Sequence, residues 1–207
     1  VSFDNLDLSD NDAVMPNLTN YALEDDLTAD NSVFSATGMS GAFNAFNTDG
    51  FHFSPVIPYG YYSAKTGPAL QNTDISATVI MDVNPDQSSS QYAGLVCRSS
   101  REGMYMAVIG VDGTYSIYRD TPVKPFTLLA EKRSDAILGG EKTANALRLV
   151  CGGDTIEFYI NGQLVESLTD SRYLLNYGRA GITTKAGGEP SEDTIIFSDL
   201  SIEEIGD

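Results

Sequence analysis

The run Thr155-Ile156-Glu157-Phe158-Tyr159-Ile160-Asn161-Gly162-Gln163-Leu164-Val165-Glu166-Ser167-Leu168 carries the strongest structural signal in the chain. Ile156, Phe158 and Ile160 recur with a period of two, which puts them on one face of an extended segment. Asn161-Gly162 then supplies two residues that accept positive φ, as a type I′ hairpin turn requires. Gly152-Gly153-Asp154 provides the turn before it. A β-hairpin over 155–168 follows from the residues themselves.

The same grammar extends outward. Met104 to Gly110 and Thr114 to Arg119 flank Asp112-Gly113, a second hairpin signal. Asp74 to Val83 is β-branched and ends at Asn84-Pro85-Asp86, followed by the polar loop Ser88-Ser89-Ser90. Tyr92 to Arg98, Phe126 to Glu131, Ala180 to Thr184 and Thr194 to Glu203 also read as strands, while Ser134 to Gly140 reads as a loop with a short helical turn. No segment of ten or more residues shows a 3.6-residue period. Short strands with a turn every ~8–12 residues indicate an antiparallel β-sandwich or barrel.

The region from 21 to 70 is less regular. Leu23, Leu27, Val33 and Phe34 can seed a first strand and its packing, and Ala42–Phe46 and Phe51–Val56 form a pair around Asn47-Thr48-Asp49-Gly50. Pro58-Tyr59-Gly60-Tyr61-Tyr62 and Thr66-Gly67-Pro68 read as a loop rich in aromatics. The first twenty residues lack periodicity and read as a polar leader or linker in which Val1, Phe3, Leu6 and Leu8 can pair weakly as an edge strand. The chain of 207 residues is thus expected to be a leader over 1–20 and one sandwich domain over 21–207.

Twelve Lys and Arg stand against 29 Asp and Glu, a net charge of −17. That field repels phosphate backbones and anionic lipid, which argues against nucleic acid and membrane-surface partners. It is compatible with cations, with neutral sugars, or with solubility alone. No apolar run approaches the ~18 residues of a bilayer span. A start at Val1, with neither initiator Met nor signal peptide, is what a trimmed or mature ectodomain shows.

The two cysteines share a parity with aliphatic residues: Ala93, Leu95 and Cys97 on one face, Leu147, Leu149 and Cys151 on another. Both sulfurs are expected to point into a core, either as a disulfide of an oxidising compartment or as two buried thiols. By the same alternation Arg98 and Arg148 leave the core for an exposed face, with Tyr105 and Arg119 as further neighbours there.

Several stretches together resemble a known group. Leu23-Glu24-Asp25-Asp26-Leu27 and Asn31-Ser32-Val33-Phe34 are similar to the acidic pair and Asn-Ser-Trp opening of bacterial laminin G-like domains, with Phe34 in place of Trp. Tyr92-Ala93-Gly94-Leu95-Val96-Cys97-Arg98, Ile109-Gly110-Val111-Asp112-Gly113-Thr114-Tyr115-Ser116-Ile117-Tyr118-Arg119, Asn145 to Cys151 and Tyr159 to Val165 continue it. The resemblance covers roughly 21–205 and implies a concanavalin A-like jelly roll with paired cysteines. It also implies an extracellular or cell-surface module; some relatives are 3-keto-disaccharide hydrolases. Activity does not follow from fold.

Catalytic patterns are absent. Laminarinase-type glycosidases place Glu-x-Asp-x-x-Glu on one strand so that the carboxylates line a cleft, and the sequence has no such run. Its nearest acidic cluster, Glu189-Pro190-Ser191-Glu192-Asp193, lies in a Gly- and Pro-bearing loop. His52 is the sole histidine, on the face opposite Phe51 and Phe53, so no site with two His ligands forms within the chain. No phosphate-cradling loop opens a helix.

For binding, Tyr59, Tyr61 and Tyr62 offer aromatic faces for sugar rings, with Arg98, Tyr105, Arg119 and Arg148 beside them. Asp25, Asp26 and Asp30 are the first suspects for a structural calcium ion, which tolerates irregular loops. The expectation is a non-catalytic recognition module for a carbohydrate or a partner protein. The alternatives are a glycan-processing hydrolase and a purely structural ectodomain.

Overall fold

The structure is a computed structural model that describes residues 21–29, 34, 42–55, 61–82, 91–140, 142–171, 175–185 and 194–206. The leader, Asp30, Tyr59, Asn84-Pro85-Asp86 and the 189–193 acidic cluster lie outside the described residues.

Fourteen strands are described. β1 (Ala22–Asp25), β2 (Ala42–Asn47), β3 (Gly50–Pro55), β5 (Thr73–Asp82), β10 (Ala144–Gly152), β11 (Thr155–Ile160), β12 (Gln163–Thr169) and β14 (Thr194–Glu204) form one sheet. Its order is β12-β11-β10-β5-β14-β3-β2, with β1 pairing β14 past the end of β3. β4 (Tyr61–Leu70), β6 (Tyr92–Ser99), β7 (Met104–Gly110), β8 (Thr114–Asp120), β9 (Thr127–Arg133) and β13 (Gly178–Lys185) form the other, in the order β4-β13-β6-β7-β8-β9. Every pairing is antiparallel. Non-sequential neighbours such as β10-β5-β14 make this a jelly-roll sandwich.

The hairpin over 155–168 closes as read, with Asn161 at φ 50 and Gly162 at φ 80. The Asp112-Gly113 turn is different. Only Gly113 is left-handed, and its N–H donates to Gly110 O across a three-residue loop.

Alternation fills the space between the sheets. Phe51, Phe53, Ile75, Leu95, Tyr115, Leu149, Phe158 and Phe197 are buried there, and Phe34 packs on Phe51 at 5.4 Å. His52 faces away from Phe51 and Phe53, as its parity requires, and contacts Asp49 at 2.6 Å. Cys97 on β6 and Cys151 on β10 form a disulfide that ties the two sheets. It closes a sequence separation of 54 residues, for which the chain-entropy model gives about 4 kcal/mol.

The segment from 61 to 70 corrects the sequence reading of a loop: it is the edge strand β4. Thr66 and Leu70 of β4 pair with Ala180 and Gly178 of β13, so the residues around Gly67-Pro68 bulge from the ladder. Gly67 takes φ 71, and an edge strand is where a proline without an N–H is tolerated.

Candidate functional site

The outer face of the six-stranded sheet carries the candidate site. Tyr62 and Ala64 of β4, Ala93, Leu95 and Cys97 of β6, and Tyr105, Ala107 and Ile109 of β7 point into the core. Their alternates therefore point outward. The ladder registers arrange these alternates in rows across the face. One row runs Tyr61, Lys185, Tyr92 and Gly110; the next Ser63, Thr183, Gly94, Val108, Ser116 and Glu131; the next Lys65, Gly181, Val96, Met106, Tyr118 and Leu128.

The middle of this face is low and apolar. A Cβ at Gly94 would meet the backbone of Ala107 and Val108, and one at Gly181 that of Ala64 and Lys65. Only glycine fits where adjacent strands approach so closely. Val96, Met106 and Val108 stand beside these glycines and are almost fully shielded, although they lie on the side away from the core.

Above them the surface is aromatic. Tyr61 belongs to one edge strand, and Phe126 lies just ahead of the opposite edge strand. Their rings nevertheless stack at 4.3 Å between centroids and 23° between planes. The β8–β9 connection thus turns inward over the face and meets Tyr61 there. Phe126 holds φ 48, and its N–H donates to Asp120 Oδ1 at 3.2 Å. Lys185 Nζ lies 5.4 Å from the Tyr61 ring centre and 5.0 Å from that of Tyr92, both within cation–π range. Burial pushes the Tyr61 hydroxyl up to about 12, aided by Tyr118, Tyr92 and Asp120. Burial raises Tyr92 also, with Asp112 and Tyr118 adding to it. The tyrosines here are neutral hydrogen-bonding groups at physiological pH.

At the Met104 end the face opens into a cavity of about 350 Å³ lined by Lys65, Ser99, Arg101, Asp120, Thr121 and Phe126 among others. That volume lies in the range of small-ligand sites. Burial lowers the Lys65 ammonium, and Asp120 opposes the shift. The combination of ring faces, hydroxyls and cations can stack on a sugar ring and bond its oxygens.

Of the residues singled out from sequence, Tyr61 lies on this face, and Tyr59 lies outside the described residues. Tyr62 does not join them: it is 5% exposed and points into the core, because β4 alternates from its first residue. Arg98 also corrects its expectation. Cys97 and Arg98 together oppose the single residue Ala180, a bulge that breaks alternation. Arg98 takes φ 52 and turns inward, 2% exposed, donating from Nε to Gln71 O at 2.9 Å and from Nη2 to Cys151 O at 3.3 Å.

Tyr105 and Arg119 are interior as well. Arg119 Nη1 meets Asp170 Oδ2 at 2.5 Å, and the Tyr105 hydroxyl donates to the same oxygen at 3.1 Å. Asp170 follows β12, so this set joins the two sheets from within. Arg148 lies on the outer face of the other sheet, where it grips both oxygens of Asp74 and stands 4.9 Å over Tyr159.

Asp25 Oδ1 accepts the Leu27 N–H at 2.7 Å, and Asp26 Oδ1 accepts the N–H and hydroxyl of Thr28. One oxygen of each is committed to its own turn. Among the described residues no three carboxylate, His or Cys side chains converge on a common point as a metal needs. Tyr92, Tyr118, Phe126, Lys65, Asp120 and Lys185 escaped the sequence reading. Alternation around Tyr92 and Tyr118 marked their outward parity; the strand order that gathers them left no local mark.

No protein-family model matches the chain, and no curated protein does. Among solved structures it is similar to the carbohydrate binding module CBM66 from Bacillus subtilis, with TM-score 0.64, 14% identity, and coverage of 79% of this chain and 92% of that one. A Bacillus subtilis protein of unknown function with a galectin-like fold aligns at TM-score 0.68 and 12% identity, over 88% and 94% of the two chains. A Bacillus licheniformis β-glucanase aligns at 0.63 and 8% identity, over 89% and 98%. At these identities the likeness establishes the fold, the concanavalin A-like jelly roll.

Proposed function

We propose that this domain is a non-catalytic carbohydrate-binding module that works outside the cell, with the outer face of the six-stranded sheet as its binding surface. The observation that carries the reading is the Tyr61–Phe126 stack, flanked by Tyr92, Tyr118 and Lys185, over a floor kept low by Gly94 and Gly181. Sugar rings present apolar C–H faces and polar rims, and such a surface offers both partners. The structural likeness to a carbohydrate binding module supports the reading. The inter-sheet disulfide supports an oxidising compartment.

The hydrolase alternative draws on the β-glucanase likeness, which is one of fold. Glycoside hydrolysis needs two carboxylates free to act across one bond. On this face Asp120 holds the Phe126 N–H, and Glu131 accepts from the Ser116 hydroxyl at 3.1 Å. Asp120 is moreover the sole carboxylate among the described residues lining the cavity, so no second one faces it there, which favours binding.

A glycan-array screen of the purified domain, with calcium and again with chelator, tests the proposal. Reproducible binding that falls on Tyr61→Ala or Tyr92→Ala is expected. Binding untouched by either substitution would move the site elsewhere, and a blank array would leave a protein partner or a structural role. Loss on chelation alone would point to a calcium ion, with Asp25, Asp26 and Asp30 the first residues to replace.

A further inference from the structure

The charge of this chain is unevenly divided. The segments that build the six-stranded sheet, 61–70, 92–133 and 178–185, contain nine Lys and Arg against four Asp and Glu, a net charge of +5. The other 147 residues therefore carry −22. Of the nine cations, Arg98 and Arg119 are interior, and Lys132 is paired with Glu166 at 2.7 Å. The six that remain are Lys65, Arg101, Lys124, Arg133, Arg179 and Lys185. None has a carboxylate of the described residues within ion-pair distance.

Three of these stand at the proposed groove. Lys185 has the rings of Tyr61 and Tyr92 as its neighbours in place of an anion. Lys65 and Arg101 line the same cavity, facing Asp120 across it. A partly buried ammonium without a bonded anion lacks solvation that a ligand can restore.

Net charge is a poor guide at such a site. Salt screens charges over about 8 Å at physiological ionic strength, whereas two packed sheets are separated by about 10 Å before side chains are counted. A ligand on the outer face therefore experiences the local excess of positive charge that Lys65, Arg101 and Lys185 present there. The general expectation that an acidic chain avoids anionic partners fails on this face.

We propose that the groove binds an acidic glycan, a polysaccharide whose sugars carry carboxylates, with Lys65, Lys185 and Arg101 as the counter-charges and Tyr61, Tyr92 and Phe126 as the ring platform. This rests on the reading of the face as a carbohydrate site and narrows its ligand. Asp120, the carboxylate of the cavity, sits where it can accept a sugar hydroxyl through its second oxygen, since Oδ1 is held by Phe126.

The test compares polygalacturonate, alginate and hyaluronan with their carboxyl-reduced neutral counterparts and with dextran sulfate, by affinity electrophoresis and calorimetry at low and physiological salt. At least one polyuronate is expected to bind about tenfold or more tighter than its reduced form, as loss of a charge-assisted hydrogen bond implies. Its affinity is expected to fall with salt, and Lys65→Gln and Lys185→Gln are each expected to weaken it about tenfold. Lys142→Gln, in the turn ahead of β10 and away from the groove, is the control and leaves it unchanged. Unfolding midpoints equal to the parent keep these losses attributable to binding. Equal affinity for acidic and reduced forms overturns the acidic ligand and leaves the carbohydrate site standing. Binding confined to dextran sulfate overturns the carboxylate class. No binding to any polysaccharide, acidic or neutral, overturns the site and this inference together.

Discussion

Two clusters of tyrosine and cation stand on opposite faces of the six-stranded sheet. Inside are Tyr105 and Arg119, with Asp170 brought in from the end of β12. Outside are Tyr61, Tyr92 and Lys185, with Phe126 brought over by the β8–β9 connection. The side-chain chemistry is nearly the same. The inner set includes its own anion and is closed to water, so its interactions are spent on joining the sheets. The outer set has rings where the anion would be, and its aromatic rings are only partly buried. Which cluster holds the fold and which can hold a ligand is decided by the built-in carboxylate.

The largest effect that would break this contrast is expected from Asp170→Ala. It removes the carboxylate oxygen that Arg119 and Tyr105 share, and breaking a buried pair in this way costs about 3–5 kcal/mol. Urea unfolding should show a loss of that size, with glycan affinity of the folded fraction unchanged. A loss below about 1 kcal/mol would mean that the inner cluster is not a structural tie. Next in size is removal of the inter-sheet disulfide. The double change Cys97→Ala, Cys151→Ala is expected to cost about 2–4 kcal/mol by the same unfolding measurement.

That disulfide shows what could be read in the sequence. The period of two around Cys97 and Cys151 placed both sulfurs in a core, and the hairpin turns fixed the fold class, because each signal is local. Arg98, one residue further on, could not be placed by the same rule. A bulge adds a residue to one strand, flips every parity beyond it, and is set by the partner strand β13. Edge strand β4 was hidden for a related reason: Gly67-Pro68 signals a turn locally, and only pairing with β13 makes it a bulge within a strand. The outer cluster depends on five ladders in a non-sequential order. Tyr61 could be singled out as one of several tyrosines, but not the companionship of Phe126, some sixty residues away and from the opposite edge.

A smaller effect sharpens the outer half of the comparison. Tyr61→Ala removes a ring stack worth about 0.5–1.5 kcal/mol beyond its burial, so thermal unfolding should shift little. Glycan affinity should fall about tenfold, since ring contacts of this kind dominate small sites. A large stability loss with unchanged affinity would reverse the roles of the two faces.

The smallest effect concerns the inner tyrosine alone. Tyr105→Phe keeps the ring and deletes one hydrogen bond to Asp170, which costs about 1 kcal/mol at neutral pH. Its pH dependence separates it from a simple packing change. Burial, reinforced by Asp170, pushes the Tyr105 hydroxyl up to about 12 from an ordinary 10.0. Between those values the folded chain keeps a proton that the unfolded chain has released, so stability is whole below pH 10 and falls as pH rises toward 12. Tyr115, also buried and beside Glu166, is pushed up to about 12 and contributes in the same direction. The parent should therefore lose stability steeply over this window, and Tyr105→Phe should lose it less steeply, so that the gap between the two narrows as the solution becomes alkaline. Parallel curves in urea titrations at pH 9, 10 and 11 would show that Tyr105 ionises as freely in the fold as outside it, and that the inner cluster is less closed than its geometry implies.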